Sequence, residues 1–153
     1  MIAKEYLNQI SKLNRMIENK TIEREQWQSK AYDITSKWGG EKVQSSGSPD
    51  KIQKAIAHYI DLEKEIDDCI ASMIEKTKEI IGVIEQLKTD EYDLLHKIYV
   101  QGMTFKECAF ACNKSESWVS TIHGVALKNV QIILDEREKE TWTPIHPKSP
   151  RSK

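Results

Sequence analysis

Two long stretches of this chain repeat apolar residues at alternating intervals of four and three, a spacing that only a helix lying along a partner uses well. Between Ile2 and Trp38 the series runs Tyr6, Ile10, Leu13, Ile17, Trp27, Ala31, Ile34 and Trp38, with Lys20 and Arg24 in phase where apolar residues lapse. A second series reads Ile52, Ile56, Tyr59, Glu63, Ile66, Ile70, Met73, Thr77, Ile80, Ile84 and Leu87. At 3.6 residues per turn such positions fall on one stripe, and a sustained 3.5-residue average is the mark of coiled-coil-like pairing. Gly39–Gly40 is expected to end the first helix and Glu41–Pro49 to form a connector. Ser48 then suits a cap, with Pro49 at the first helical position. A short connector between long helices favours an antiparallel hairpin over residues 1–88. Lys20 and Arg24 either set its register or mark a bend.

Composition supports an all-α chain. Only 39% of the 153 residues are hydrophobic and 31% are charged, which suits long solvated helices. Phe105 and Phe110 are its two phenylalanines, and glycine is scarce, so strand alternation and turn pairs are both thin. Three cysteines, an odd number, with no apolar signal segment at the start, point to a reducing cytosol. No apolar run approaches the ~20 residues needed to span a bilayer. Residues 50–90 carry ten acids against six cations, and 91–135 carry five against four. No strong basic signal for nucleic acid exists.

Thr89 to Leu134 carries the most specific local signals. Thr89–Asp90 should break the long helix and cap the next, which presents Leu94, Leu95, Ile98 and Tyr99 on one face. Gly102 should end that helix. Thr104 and Glu107 have the spacing of a capping box, and Met103 can staple onto Cys108. Asn113 stands where this helix must stop, a place for a residue that tolerates a left-handed backbone. Ser115 then caps a further helix, with Glu116 in its first turn beside the positive end of the dipole. Helix, short turn, capped helix is the helix-turn-helix pattern, expected as a three-helix domain over residues 89–140. Thr141–Lys153, with prolines at 144, 147 and 150, is expected to be a disordered or extended basic tail.

The segment Gln101–Val130 resembles region 4 of bacterial sigma-70-type factors and related phage regulators. The matching residues are Gly102–Met103–Thr104–Phe105, Glu107, Ala109, Ser115–Glu116–Ser117, Val119 and Ala126–Leu127–Lys128. In architecture the whole chain looks like small phage late-gene transcriptional regulators of the ArpU/RinA-like type. The resemblance implies a phage or prophage transcriptional regulator that binds double-stranded promoter DNA, together with RNA polymerase. Departures stand beside the match. Asn113–Lys114 replaces a Gly-Ile turn; Ser120, Ile122 and Gly124 occupy a reading face where arginines are common; His123 falls where Leu is usual.

By this analogy Lys114, Ser115, Ser117, Ser120, Thr121 and Lys128 would touch phosphates or base edges. Trp118, Ile122 and Val125 form an apolar stripe open to three readings: further core, contact with thymine methyls, or docking on a protein. The rival function is a non-catalytic interaction module, or a phage assembly protein of the small-terminase type, that keeps the helix-turn-helix as scaffold. No nucleophile has a base beside it, so no enzyme, metal or cofactor is expected; Cys108 and Cys112, one turn apart, read as small core residues. Extra apolar residues at Ile22, Leu62, Cys69, Ile74 and Ile81 widen the hairpin stripes and point to a homo-oligomer.

Overall fold

The computed structural model describes residues 1–37 and 48–141. Six α-helices and one π-helical turn make up the described residues: α1 Ala3–Leu7, α2 Gln9–Lys37, α3 Ser48–Ile84, α4 Thr89–Leu95, the π turn His96–Val100, α5 Phe105–Cys112 and α6 Glu116–Thr141. The fold is all-α, a long antiparallel helical hairpin followed by a three-helix helix-turn-helix arrangement. The Gly39–Gly40 stop, most of the connector, Trp38, the Ser48 side chain and the tail beyond Thr141 lie outside what is described. Two compact units emerge, Asn8–Glu79 and Met1–Leu7 with Ile80–Lys153. The division differs from the expected boundary at residue 88: the first seven residues and the end of α3 belong with the C-terminal unit.

In the Asn8–Glu79 unit, partners on α3 move backward as those on α2 move forward. Lys20 bonds Glu65, Glu23 lies 3.5 Å from His58, and the Trp27 ring meets His58 edge-on at 4.6 Å. Helix α2 turns inward Ile10, Leu13, Ile17, Lys20, Arg24, Trp27, Ala31 and Ile34, as its spacing foretells. It continues unbroken past Lys20 and Arg24, which pair with Glu65 and Glu63 on α3. The hydrogen bond holds the Lys20 ammonium above its ordinary value and the Glu65 carboxyl below its own. Both groups meet solvent, so the pair sets register more than it adds stability.

Helix α3 departs from the expected seam at Ile56 and Ile70, while Ile84 in the same series is fully buried as expected. Ile52, Tyr59, Ile66, Met73 and Ile80 are covered to varying degrees, but the places between them belong to Ala55, Leu62 and Cys69. Ile56 and Ile70 face out, 46% and 38% exposed. Both sets satisfy the same alternation, so spacing alone could not choose between them. The helix also ends at Ile84, three residues early, in a tightened turn with Gln86 N–H donating to the Val83 carbonyl.

The C-terminal unit is built on α6, against which α1, α4 and α5 all pack. Val119, Ala126 and Val130 are fully buried along one face of it. Leu94, Cys108, Ala109 and Val119 form the centre of a cluster that Ile98, Met103, Trp118 and Ile122 partly cover. The expected single helix from Ile2 breaks at Asn8, and α1 buries Ala3, Tyr6 and Leu7. One glutamine ties it down: Gln131 Oε1 accepts from Ala3 N–H at 2.7 Å while its Nε2 donates to the Met1 carbonyl. The cap of α4 is Lys88, in extended conformation without a side-chain bond, so Thr89 and Asp90 lie inside the first turn rather than at its cap. Glu91 beside them is buried and accepts from Asn129 Nδ2 of α6 at 2.8 Å.

That pair generates a prediction. In Asn129→Leu the buried Glu91 carboxylate loses its donor, and an orphaned buried polar group costs about 1–3 kcal/mol. Urea denaturation followed by far-ultraviolet dichroism should show a loss of that size, whereas Gln131→Leu, at a more exposed bond, should cost less.

Candidate nucleic-acid interface

The turn between α5 and α6 is set by residues within five positions of one another. Thr104 Oγ1 accepts from Glu107 N–H at 3.2 Å and the Glu107 carboxylate accepts from Thr104 N–H at 2.7 Å, completing the capping box. That donated N–H, with the Thr104 hydroxyl, holds the Glu107 carboxyl below its ordinary range. Met103 packs on the cluster containing Cys108, as a staple should. Asn113 takes φ 54, ψ 44, the left-handed conformation that asparagine tolerates. Lys114 N–H then reaches back to the Ala109 carbonyl at 2.9 Å, so the helix end is closed by backbone. Ser115 Oγ accepts from Trp118 N–H at 3.1 Å and caps α6.

Ser117, Ser120, Thr121, Gly124 and Lys128 are exposed and recur along one face of α6, opposite Val119, Ala126 and Val130. Lys114 is exposed beside its first turn, with Nζ 5.6 Å from the centre of the Trp118 ring. The Thr121 hydroxyl donates to the Ser117 carbonyl at 2.9 Å, leaving its oxygen free to accept. Trp118 and Ile122 depart from the groove-facing placement: both are half-buried against the Leu94–Cys108–Ala109–Val119 cluster. For these two residues the packing favours the core reading, whereas Val125, the third of the stripe, is 43% exposed. The angular position of Trp118 and Ile122 on α6 falls between its two faces, and the cluster covers the side nearer to it.

Spacing gave little warning of Gly124. A mid-helix glycine costs roughly 0.5–1 kcal/mol relative to alanine, and a Cβ here would meet nothing within 4 Å. No internal packing requires it. Its effect is to leave the middle of the polar face of α6 flat, so a bulky ligand can approach the helix backbone there.

Beneath this face His123 completes an aromatic group. Its Nε2 lies 2.9 Å from Tyr99 Oη, its ring stacks on Tyr99, and Phe105 meets it edge-on with centroids 5.0 Å apart. Tyr99 is presented by the π turn, in which Gln101 N–H bonds the His96 carbonyl five residues back. Burial, and then the positive charge of Lys4, hold the His123 imidazole below its usual value near 6.5. Burial also raises the Tyr99 phenol. Among the described residues no group of three or more His, Cys, Asp or Glu stands together to hold a metal ion, and none of the helices is long and apolar enough to cross a membrane. No family model, curated protein or solved structure matches the chain.

The depressed imidazole fixes the sign of a pH effect. Between the usual value near 6.5 and the lower folded value, the unfolded chain binds the proton more readily. The contribution of His123 to stability should therefore be intact above about pH 6.5 and fall as pH drops through that window. Denaturation midpoints between about pH 7.5 and pH 5 should decline less in His123→Leu than in the parent. An equal decline in both would place the effect elsewhere.

Proposed function

We propose that this protein is a transcriptional regulator of phage or prophage type that binds promoter DNA through its helix-turn-helix. The observation that carries the reading is the geometry at Asn113: a capped helix, a left-handed residue, and a second capped helix with a polar face turned to solvent. On this reading α6 enters the major groove. Lys114 and Lys128 neutralise phosphates, while Ser117, Ser120 and Thr121 face base edges. Gly124 lets the helix approach closely. Ser115 serves chiefly as the cap, and Trp118 supports Lys114 from below instead of contacting bases.

Charge sets the affinity expected of such a face. Two lysines release few counterions, so a single copy should bind DNA weakly. Useful affinity then requires two copies on adjacent half-sites, or RNA polymerase bound alongside. The resemblance to sigma region 4 supports the polymerase partnership, and the cytosol of a bacterial host is the matching location.

A second reading has one specific observation behind it. Phe110, on the outer side of α5, is 91% exposed, with Lys106 one turn before it and Lys114 just beyond the end of the helix. An unburied aromatic ring is a common anchor for a protein partner. On this reading the domain is an interaction or phage-assembly module.

Fluorescence anisotropy with duplexes from the chain's own genomic neighbourhood separates the two. Lys114→Ala should weaken binding about equally across sequences and reduce the salt slope by about one unit. Ser120→Ala or Thr121→Ala should instead change the ranking of sequences. Gly124→Ala should raise stability by roughly 0.5–1 kcal/mol yet weaken binding. Absence of salt-sensitive binding to any duplex, with and without polymerase, together with loss of a protein partner in Phe110→Ala, would replace the DNA reading by the interaction reading.

A further inference from the structure

Helix α3 presents a second apolar stripe that its own hairpin does not use. Ile56, Ile60, Ile70 and Ile74 are 46%, 55%, 38% and 48% exposed. At 100° per residue they lie together on one flank, about a quarter turn from the residues facing α2. Glu63 and Asp67 continue the same 4-3 alternation between the two isoleucine pairs. The stripe is therefore a complete coiled-coil seam with a polar middle.

Its pattern is symmetric about Glu65. Ile56 and Ile74 stand nine residues to either side, Ile60 and Ile70 five, and Glu63 and Asp67 two. A two-fold contact needs this property, because residue i of one copy meets j of the other while j meets i. Two α3 helices laid antiparallel across Glu65 place Ile56 on the other copy's Ile74 and Ile60 on its Ile70. The polar middle is neutral as a whole. Glu63 and Asp67 supply two negative charges per copy, while Lys64 and the Glu63-paired Arg24 supply two positive ones. In the antiparallel register Lys64 falls within one residue of the other copy's Asp67, giving the acids a cation from each side.

We propose that the Ile56–Ile74 flank of α3 is an antiparallel self-association surface, and that its occupant is a second copy of this chain. The two-fold axis crosses the seam between Glu63 and Asp67, at the level of Glu65 but on the opposite side of α3 from its side chain, and the isoleucine pairs close the seam on both sides of a charged centre. The pairing supplies the second copy that weak DNA affinity calls for, but needs no DNA itself. The exposed position of the seam also separates it from hairpin folding. Ile66, in contrast, is buried within the hairpin and would damage it when replaced.

Sedimentation equilibrium of the full chain without DNA tests association. The parent should be a dimer. Ile60→Lys with Ile70→Lys should raise the dimer dissociation constant about 100-fold or more while leaving helical dichroism intact. Register is tested in a background with Cys69, Cys108 and Cys112 replaced, by mixing Ile60→Cys and Ile70→Cys proteins under mild oxidation. Cross-links should join the two different variants in preference to like with like. A parent that stays monomeric at all concentrations would overturn the proposal, as would preferred Ile60→Cys self-linkage, which marks a parallel pair, or a dimer that the lysine substitutions leave unchanged. Each result can be read whether or not the chain binds DNA.

Discussion

Val119, Ala126 and Val130 recur along one face of α6, and the other helices of the C-terminal unit close on it. Helices α4 and α5 cover its first half, and α1 is fastened further along through Gln131. A helix in this situation has one face fixed by packing, which leaves the opposite face turned to solvent. The polar residues Ser117, Ser120, Thr121 and Lys128 therefore keep a constant orientation relative to the turn at Asn113. The proposed contact with DNA depends on that division of one helix between burial and exposure. The unusual pairing of His123 with Tyr99 is part of the same requirement. A polar ring placed on the buried side finds a hydroxyl partner instead of leaving an unmet hydrogen bond.

Interactions confined to a few consecutive residues were the most readable in the sequence. The Thr104–Glu107 box, the left-handed Asn113 and the Ser115 cap each depend on neighbours within four positions, and each occurs as the spacing suggests. The seam of α3 was less readable for a definite reason. Ile56, Glu63 and Ile70 satisfy the 4-3 rule as well as Ala55, Leu62 and Cys69 do, and the partner helix decides which set turns inward. The placement of Trp118 and Ile122 was hidden similarly, because their position on α6 borders both faces. Lys88 as a cap was hidden by its chemistry, since it caps through backbone alone.

The two units also rest on different physics. The hairpin carries Lys20–Glu65 and Arg24–Glu63 near its middle, together with many half-covered apolar residues. The C-terminal unit has a compact apolar cluster and a buried Glu91–Asn129 hydrogen bond. Ionic strength screens the first set of contacts and hardly touches the second.

The π turn at His96–Val100 has a further consequence for what changes of length the chain can absorb. Such a turn holds one residue more than an α-turn while the helical faces before and after it stay in phase. Removing one residue there would narrow this last turn to ordinary α-helix and leave Leu94, which precedes it, in place. The same deletion inside α5 or α6 would rotate everything beyond it by about 100° and exchange buried for exposed side chains. One short segment of this domain can thus tolerate a deletion, while its neighbours are locked to their length.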